Sequence, residues 1–247
     1  MSDACTVRGL SVAYHAEPVL RSVDLDVPTG VVMGIVGPNG AGKSTLIKAM
    51  LGLVVPLTGS ARFFGEPLDR VRHRIGYMPQ STSVDWDFPT TVRDVVTMGT
   101  YGRLGWFRRP GAAERDRAWA AMEQAGIAEL ADRQIGELSG GQRQRTFLAR
   151  SLAQAPDLYI MDEPFQGIDA RSQQAIVAVL HDLRDAGKTV MMVHHDLATV
   201  RDYCDHVTLL NRVVVASGPA EKAFTRESIR TTYDVGTTDD GFLSFVS

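Results

Sequence analysis

VVMGIVGPNGAGKST, residues 31–45, joins an apolar run to a glycine-rich segment. The apolar residues 31–36 are typical of a buried parallel strand, and the STLIKAMLGL that continues the stretch is typical of a helix. A GxxxxGK[ST] pattern between a strand and a helix is the context of a phosphate-binding loop. Its glycines let backbone N–H groups approach phosphate oxygens, and the helix N-terminus adds further donors. The stretch therefore predicts an α/β fold that binds a nucleotide.

The side chains of this segment, called the phosphate loop below (residues 37–45), have distinct predicted roles. Lys43 supplies a cation for the β and γ phosphates, and the Ser44 hydroxyl is placed to ligate Mg²⁺. The alternative, a glycine-rich turn without a ligand, does not account for the flanking strand and helix. The predicted nucleotide-binding residues are Gly37, Pro38, Asn39, Gly40, Ala41, Gly42, Lys43, Ser44 and Thr45.

Composition and charge narrow the class of protein. The chain has 247 residues, of which 44% are hydrophobic and 22% charged, so collagen-like and disordered chains are excluded. Its formal charge of -3 provides no global cationic field, so we expect no nucleic-acid partner. Cys5 and Cys204 lie far apart, which favours a reducing compartment. No apolar run approaches the ~18 residues of a membrane span, so we expect no membrane crossing by this chain alone.

Other apolar runs predict the rest of the architecture. LYIM at 158–161 and TVMMV at 189–193 indicate buried strands, and each is followed by helical sequence, which is the alternation of a parallel sheet with crossover helices. Residues 1–30 and 55–75 alternate polar and apolar positions and predict a small antiparallel region. Residues 82–155 contain no convincing strand and predict a helical insertion.

Two carboxylates follow one of these strands in LYIMDEP, residues 158–164. The carboxyl end of a buried parallel strand is where such sheets bind ligands. Asp162 would hold Mg²⁺ through water, and Glu163 is placed to orient or deprotonate the attacking water. A solvated acidic turn is the alternative, which a neighbouring phosphate loop makes a poor explanation.

LSGGQ, residues 138–142 and called the signature segment below, precedes the helical sequence RQRTFLARSLAQ. Ser139, Gly140, Gly141 and Gln142 would then lie at a helix N-terminus and form a second anion site. An ordinary capped helix start is the alternative. With the phosphate loop before it and the two carboxylates after it, the chain resembles the ATP-binding subunits of ABC transporters. A simple P-loop kinase would not explain the signature segment.

The resemblance covers residues 5–235, an ABC ATP-binding domain, and leaves 236–247 as a C-terminal tail. It implies a P-loop NTPase with a RecA-like parallel sheet core, an antiparallel β region and an inserted helical subdomain. It implies that Tyr14 stacks on adenine, that Gln80 contacts Mg²⁺ and the attacking water, and that Asp169 touches an opposite subunit. From the residues alone, Tyr14 and Gln80 could be a packing and a loop residue. Asp169 could also cap a helix.

The resemblance implies one histidine that senses the γ-phosphate, and this chain has two adjacent candidates. Neighbours on a strand point to opposite faces, so only one of His194 and His195 can reach the nucleotide. We assign His195, because it directly precedes Asp196 as the family's histidine precedes its acid.

The resemblance also implies partners and cofactors. Two copies of the chain would pair head to tail, so that each ATP, with Mg²⁺, lies between one copy's phosphate loop and the other copy's signature segment. The chain would work at the cytoplasmic face of the cell membrane, on a separate polytopic permease. An extracytoplasmic metal-binding protein would be an indirect partner.

Residues 84–110, called the aromatic segment below, resemble the corresponding segment of the manganese, zinc and iron importers through WDFPTTV. The resemblance predicts import of a divalent metal, manganese or zinc ahead of ferrous iron. Trp86, Phe88 and Trp106 could form a docking surface or a small local core. Gln166 departs from the family's small or apolar residue and leaves the subclass open. The alternative function is a soluble ABC-type ATPase acting in translation, DNA repair or iron–sulfur assembly.

Overall fold

The structure is a computed structural model that describes residues 3–14, 17–80, 86–104 and 109–234. Its strands are β1 (Asp3–Tyr14), β2 (Glu17–Pro28), β3 (Val32–Val36), β4 (Thr58–Phe63), β5 (Ile75–Met78), β6 (Leu158–Met161), β7 (Thr189–Val193), β8 (His206–Asn211) and β9 (Val213–Pro219). Its helices are α1 (Lys43–Met50), α2 (Leu68–Val71), α3 (Val92–Met98), α4 (Tyr101–Leu104), α5 (Ala112–Gln124), α6 (Gly140–Gln154), α7 (Ala170–Asp185), α8 (Val200–Tyr203), α9 (Ala220–Ala223) and α10 (Arg226–Tyr233).

Two compact units make up the chain, one formed by residues 1–72 and 189–247 and the other by residues 73–188. The predicted domain bounds, 5–235, stay a prediction, and the tail at 236–247 lies outside the described residues. Among the described residues, no helix has both the length and the apolar content needed to cross a membrane.

In the first unit, β3 lies between β7 and β8 in parallel, and β9 runs antiparallel beside β8. Every residue of β3 and β7 is buried, as expected for parallel strands that are covered on both faces. Helix α1 follows β3 directly. The predicted α/β class is confirmed.

A separate antiparallel sheet in this unit has the order β2-β1-β4. Within the predicted region 1–30, its strands are β1 and β2, but the prediction for 55–75 was wrong beyond Phe63. Residues 68–74 form α2 and a 3-10 turn, because Pro67 fits the extended N-cap position and Asp69 suits the first helical turn. Strand β5 then begins at Ile75, and its four residues were too short a run to be recognised.

The second unit combines a parallel strand pair with helices. Strands β5 and β6 pair in parallel, and α3, α5 and α6 pack against one another. The described part of residues 82–155 contains helices and no strand. Helix α3 begins with a capping box, in which the Thr91 hydroxyl accepts from the Asp94 N–H at 3.2 Å and the Asp94 carboxylate accepts from the Thr91 N–H.

At the end of β7, His194 is a structural residue. Its side chain is 1% exposed, and its Nε2 atom lies 2.8 Å from the Thr199 hydroxyl. Its ring centre lies 5.7 Å from that of Tyr203. Burial, followed by the nearby His195, lowers the pKa of His194 to about 4, and Asp196 opposes the change only in part.

We predict that Gly99→Ala destabilises the second unit. A Cβ at Gly99, at the end of α3, would lie 2.1 Å from the Arg150 carbonyl oxygen on α6. The two helices would have to separate, at a cost of about 1–3 kcal/mol in the free energy of unfolding measured by urea denaturation. Gly102→Ala is the matched control, since its Cβ meets nothing within 4 Å. Equal stability of the two variants would contradict the close approach.

We predict that His194 makes stability depend on pH. Below its ordinary pKa of 6.5, the unfolded chain binds a proton at His194 that the folded chain binds only near pH 4. The free energy of unfolding should therefore fall by about 2 kcal/mol between pH 7 and pH 5. Urea denaturation at the two pH values measures this change. His194→Gln cannot titrate and should show a smaller difference, whereas an unchanged pH dependence would contradict the assignment.

Candidate functional site

The phosphate loop connects β3 to α1 through a turn in which the Ala41 N–H donates to the Pro38 carbonyl oxygen at 3.2 Å. Gly40 and Gly42 have φ values of 79° and 95°, a region that favours glycine. Gly37 is needed for a different reason. A Cβ there would lie 1.9 Å from the Leu210 carbonyl oxygen of β8.

Lys43, the first residue of α1, folds back over this loop. Its Nζ atom donates to the Gly37 carbonyl oxygen at 2.7 Å and to the Pro38 carbonyl oxygen at 2.9 Å, and the residue is only 7% exposed. Ser44 and Thr45 follow in the first turn of α1. A cation held against a glycine turn at a helix N-terminus is an arrangement suited to the phosphates of a nucleotide.

Two other predicted residues lie in the first unit. Tyr14 ends β1 and is 46% exposed, so its ring is accessible to a ligand. His195 is exposed, whereas His194 before it is buried. This alternation supports His195 as the nucleotide-facing histidine, because the ring of the buried His194 contacts Thr199 and Tyr203 instead.

In the second unit, the carboxylates lie where β6 ends. Asp162 is 2% exposed, and its N–H donates to the Met78 carbonyl oxygen of β5 at 2.9 Å. Burial, with the charge of Asp162, raises the pKa of Tyr77 to about 12. Glu163 has a φ of 55°, an uncommon backbone conformation for a residue with a side chain. No feature of the local sequence predicts that conformation, which turns the chain immediately after the strand.

Gln80 contacts both the candidate catalytic carboxylate and the residue that departs from the family pattern. Its Nε2 atom donates to Glu163 Oε2 at 3.0 Å and to Gln166 Oε1 at 2.9 Å. A carboxylate only accepts hydrogen bonds, so the atom of Gln80 that faces it must be the amide nitrogen. The pairing of Gln80 with Glu163 places two predicted site residues together. The contact with Gln166 was not foreseen.

The signature segment forms a capped helix start, the alternative raised from the sequence. Ser139 is the N-cap of α6, with its N–H donating to Gln142 Oε1 at 2.9 Å. A Cβ at Gly140 would lie 2.8 Å from the Gly167 carbonyl oxygen, and one at Gly141 would lie 2.4 Å from the Ser172 hydroxyl. The glycines therefore allow close packing within the unit. Their predicted contact with a nucleotide on a second copy stays a prediction.

Asp169 is the N-cap of α7, as the sequence analysis allowed. One carboxylate oxygen accepts from the Ser172 N–H at 2.9 Å and the other from the Ser172 hydroxyl at 2.9 Å. These two hydrogen bonds lower the pKa of Asp169. The side chain is also exposed, so capping leaves its predicted contact with a second subunit open.

Trp86 and Phe88 of the aromatic segment differ in their surroundings, one fitting a local core and the other a docking surface. The ring of Trp86 packs edge-on against Phe147 at 5.3 Å between centres, with the Arg143 guanidinium 4.8 Å from the Trp86 ring centre. Trp86 is thus a packing residue. Phe88 is 57% exposed and remains a candidate for docking, whereas Trp106 lies outside the described residues.

Comparison with known proteins identifies the family. The family model described as ABC transporter matches residues 20–166. The zinc transport system ATP-binding protein TroB of Treponema pallidum (strain Nichols) is 55% identical over 230 residues, which cover 93% of this chain and 86% of TroB. The manganese transport system ATP-binding protein MntB of Bacillus subtilis (strain 168) is 52% identical over 224 residues, which cover 91% of this chain and 90% of MntB.

Solved structures agree with the sequence comparison. A metal-chelate type ABC transporter in an inward-facing conformation matches with a TM-score of 0.83 and 29% identity, over 94% of this chain and 89% of that one. An ATP-binding cassette in its ADP conformation matches with a TM-score of 0.79 over 99% of this chain and 100% of that one; at 24% identity it shows the shared fold. The chain therefore belongs to the ABC transporter family and is one of its nucleotide-binding ATPases.

Proposed function

We propose that this chain is the ATP-hydrolysing subunit of an importer for a divalent metal, manganese or zinc ahead of ferrous iron. The observation that carries the proposal is identity above 50% to TroB and MntB over more than nine-tenths of the chain. Those relatives are transport subunits, so they support this function over a soluble ATPase of translation, DNA repair or iron–sulfur assembly. The chain would act at the cytoplasmic face of the membrane without a nucleic-acid partner.

We propose that the phosphate loop binds the β and γ phosphates of ATP. Lys43 would exchange the carbonyl oxygens of Gly37 and Pro38 for phosphate oxygens, which are stronger partners for an ammonium because they carry full charge. Tyr14 would stack on the adenine. His195 would contact the γ-phosphate from the end of β7.

Mg²⁺ fits the chemistry of the proposed ligands. The Ser44 hydroxyl, the Gln80 amide oxygen and the buried Asp162 carboxylate are hard oxygen donors of the kind that Mg²⁺ prefers. When bound with ATP, the ion would neutralise charge on the β and γ phosphates. Glu163 would orient the attacking water and accept its proton. Gln80 would keep the Glu163 carboxylate in place through their hydrogen bond.

A second copy of the chain would complete each site. Ser139, Gly140, Gly141 and Gln142 of one copy would contact the nucleotide on the other, and Asp169 would lie at the contact between copies. ATP binds both surfaces in this arrangement and so stabilises the closed pair, and hydrolysis removes one set of contacts. The free energy would be transmitted to a polytopic permease, served by an extracytoplasmic metal-binding protein.

We predict that Glu163→Gln separates binding from turnover. It replaces the proposed water-activating carboxylate with a neutral side chain of the same shape, so ATP should still bind and the closed dimer should accumulate. Turnover should fall by at least about 100-fold. Fluorescent nucleotide titration, steady-state phosphate release and size-exclusion chromatography measure the three properties.

Lys43→Ala is the comparison for that variant. It removes the buried cation of the phosphate loop and should weaken nucleotide binding itself. Undiminished hydrolysis by Glu163→Gln would remove Glu163 from the proposed role. Wild-type protein that neither binds nor hydrolyses ATP would refute the proposed function.

We predict that the full chain co-purifies with a polytopic membrane protein and that Phe88 contributes to this contact. Phe88→Ser should reduce the amount of co-purified permease and leave the ATPase activity of the free subunit unchanged. Leu53→Ser is the control, because Leu53 is equally exposed but lies in the first unit. Migration of the wild-type chain with ribosomes or DNA at physiological salt would instead support the soluble alternative.

A further inference from the structure

We propose that Gln166 is a positioning residue that orients the Gln80 carboxamide toward Mg²⁺ and the attacking water. The inference rests on the proposed function and deepens it, since it gives a role to a residue that the family resemblance leaves unexplained. It depends on contacts within one unit of the chain, between Gln80 before the helical insertion and the turn after β6.

Hydrogen bonding fixes the direction in which the Gln80 amide points. Its nitrogen has two hydrogens, and they are directed to Glu163 Oε2 at 3.0 Å and to Gln166 Oε1 at 2.9 Å. Because the nitrogen donates to both acceptors, a rotation that exchanged the positions of the amide nitrogen and oxygen would break both hydrogen bonds and is disfavoured. That oxygen is the one atom of the Gln80 side chain able to ligate a metal ion.

The local backbone explains why residue 166 can reach Gln80. Glu163 adopts its left-handed conformation, and the Gln166 N–H donates to the Glu163 carbonyl oxygen at 3.2 Å. The resulting turn brings the side chain of Gln166 to the same side as that of Glu163. A small or apolar residue at position 166 could not supply the acceptor.

Without Gln166, the amide nitrogen of Gln80 would lose one of the two hydrogen bonds that join it to Glu163 and Gln166. The two halves of a carboxamide are close in size, so losing the acceptor at Gln166 leaves the amide freer to exchange the positions of its nitrogen and oxygen. A lost neutral hydrogen bond corresponds to about a 3- to 10-fold change in an equilibrium. The consequence should be weaker metal binding to the nucleotide complex and slower hydrolysis, with little effect on nucleotide binding in the absence of metal.

A double-mutant cycle on the full chain tests the proposal. Gln166→Met keeps the length of the side chain and removes its oxygen, and Gln80→Met removes the amide on which Gln166 acts. The metal readout is electron paramagnetic resonance of Mn²⁺, used in place of Mg²⁺, titrated into protein saturated with a non-hydrolysable ATP analogue. Steady-state hydrolysis supplies kcat, and thermal unfolding checks that each variant is folded.

Gln166→Met should weaken Mn²⁺ binding and lower kcat by about 3- to 10-fold. In the Gln80→Met background it should have no further effect, because a residue that acts through another shows strong coupling with it. Gln174→Met, at an exposed position on α7, is the matched control and should behave as wild type. Gln166→Glu retains an acceptor, and whatever effect it has should also disappear in the Gln80→Met background.

Additive effects of Gln166→Met and Gln80→Met would overturn the proposal, as would unchanged Mn²⁺ binding and kcat in Gln166→Met. If Gln166→Met were not folded, coupling of Gln166→Glu to Gln80→Met would decide the same question. Failure of the proposed function is distinguishable, since it would appear as a wild-type chain without metal-dependent ATP hydrolysis.

Discussion

A buried ammonium group must be paired, and this requirement governs the centre of the first unit. Lys43 is almost fully buried, and an unpaired charge in that position would be strongly destabilising. The carbonyl oxygens of Gly37 and Pro38 accept hydrogen bonds from the Lys43 ammonium and offset this cost. The loop can present both oxygens to Lys43 only because it turns tightly between β3 and α1. The same carbonyl oxygens are neutral partners, so a charged phosphate can replace them. The Lys43 ammonium therefore contributes both to the stability of the loop and to the binding of a phosphate.

The fold was predictable where burial is continuous along a strand. The runs 158–161 and 189–193 form β6 and β7 with those bounds, because each is apolar on both faces and bounded by polar or turn residues. Strand β5 is only four residues long, and its partner β6 is distant in sequence. Strands β8 and β9 follow each other and pair antiparallel, and they were not recognised either. Residues 68–74 show the opposite error, in which an alternating pattern belongs to a short helix and a 3-10 turn.

The candidate site was predictable as a set of residues, and its internal contacts were not. Motif spacing singles out Gln80 and Glu163 separately. The hydrogen bond between Gln80 and Gln166 joins residues 86 positions apart, and nothing in either local sequence indicates the other. Likewise, the glycines of the signature segment were predicted to bind an anion, whereas the atoms nearest to them in the structure belong to Gly167 and Ser172. Local sequence identifies donors and acceptors, but the fold decides which of them meet.

The turn from Asp162 to Asp169 shows how these contacts depend on one another. The left-handed conformation of Glu163 is intrinsically unfavourable and persists only where surrounding contacts hold it. On one side, Asp162 is held by the backbone of β5, and on the other, Asp169 is fixed as the cap of α7. Between these two anchors, the side chain of Glu163 is held by Gln80 and its carbonyl oxygen by the Gln166 N–H. Backbone strain at Glu163 is therefore balanced by the contacts of a short segment that is anchored at both ends, so a change at either anchor should alter the position of Glu163 itself.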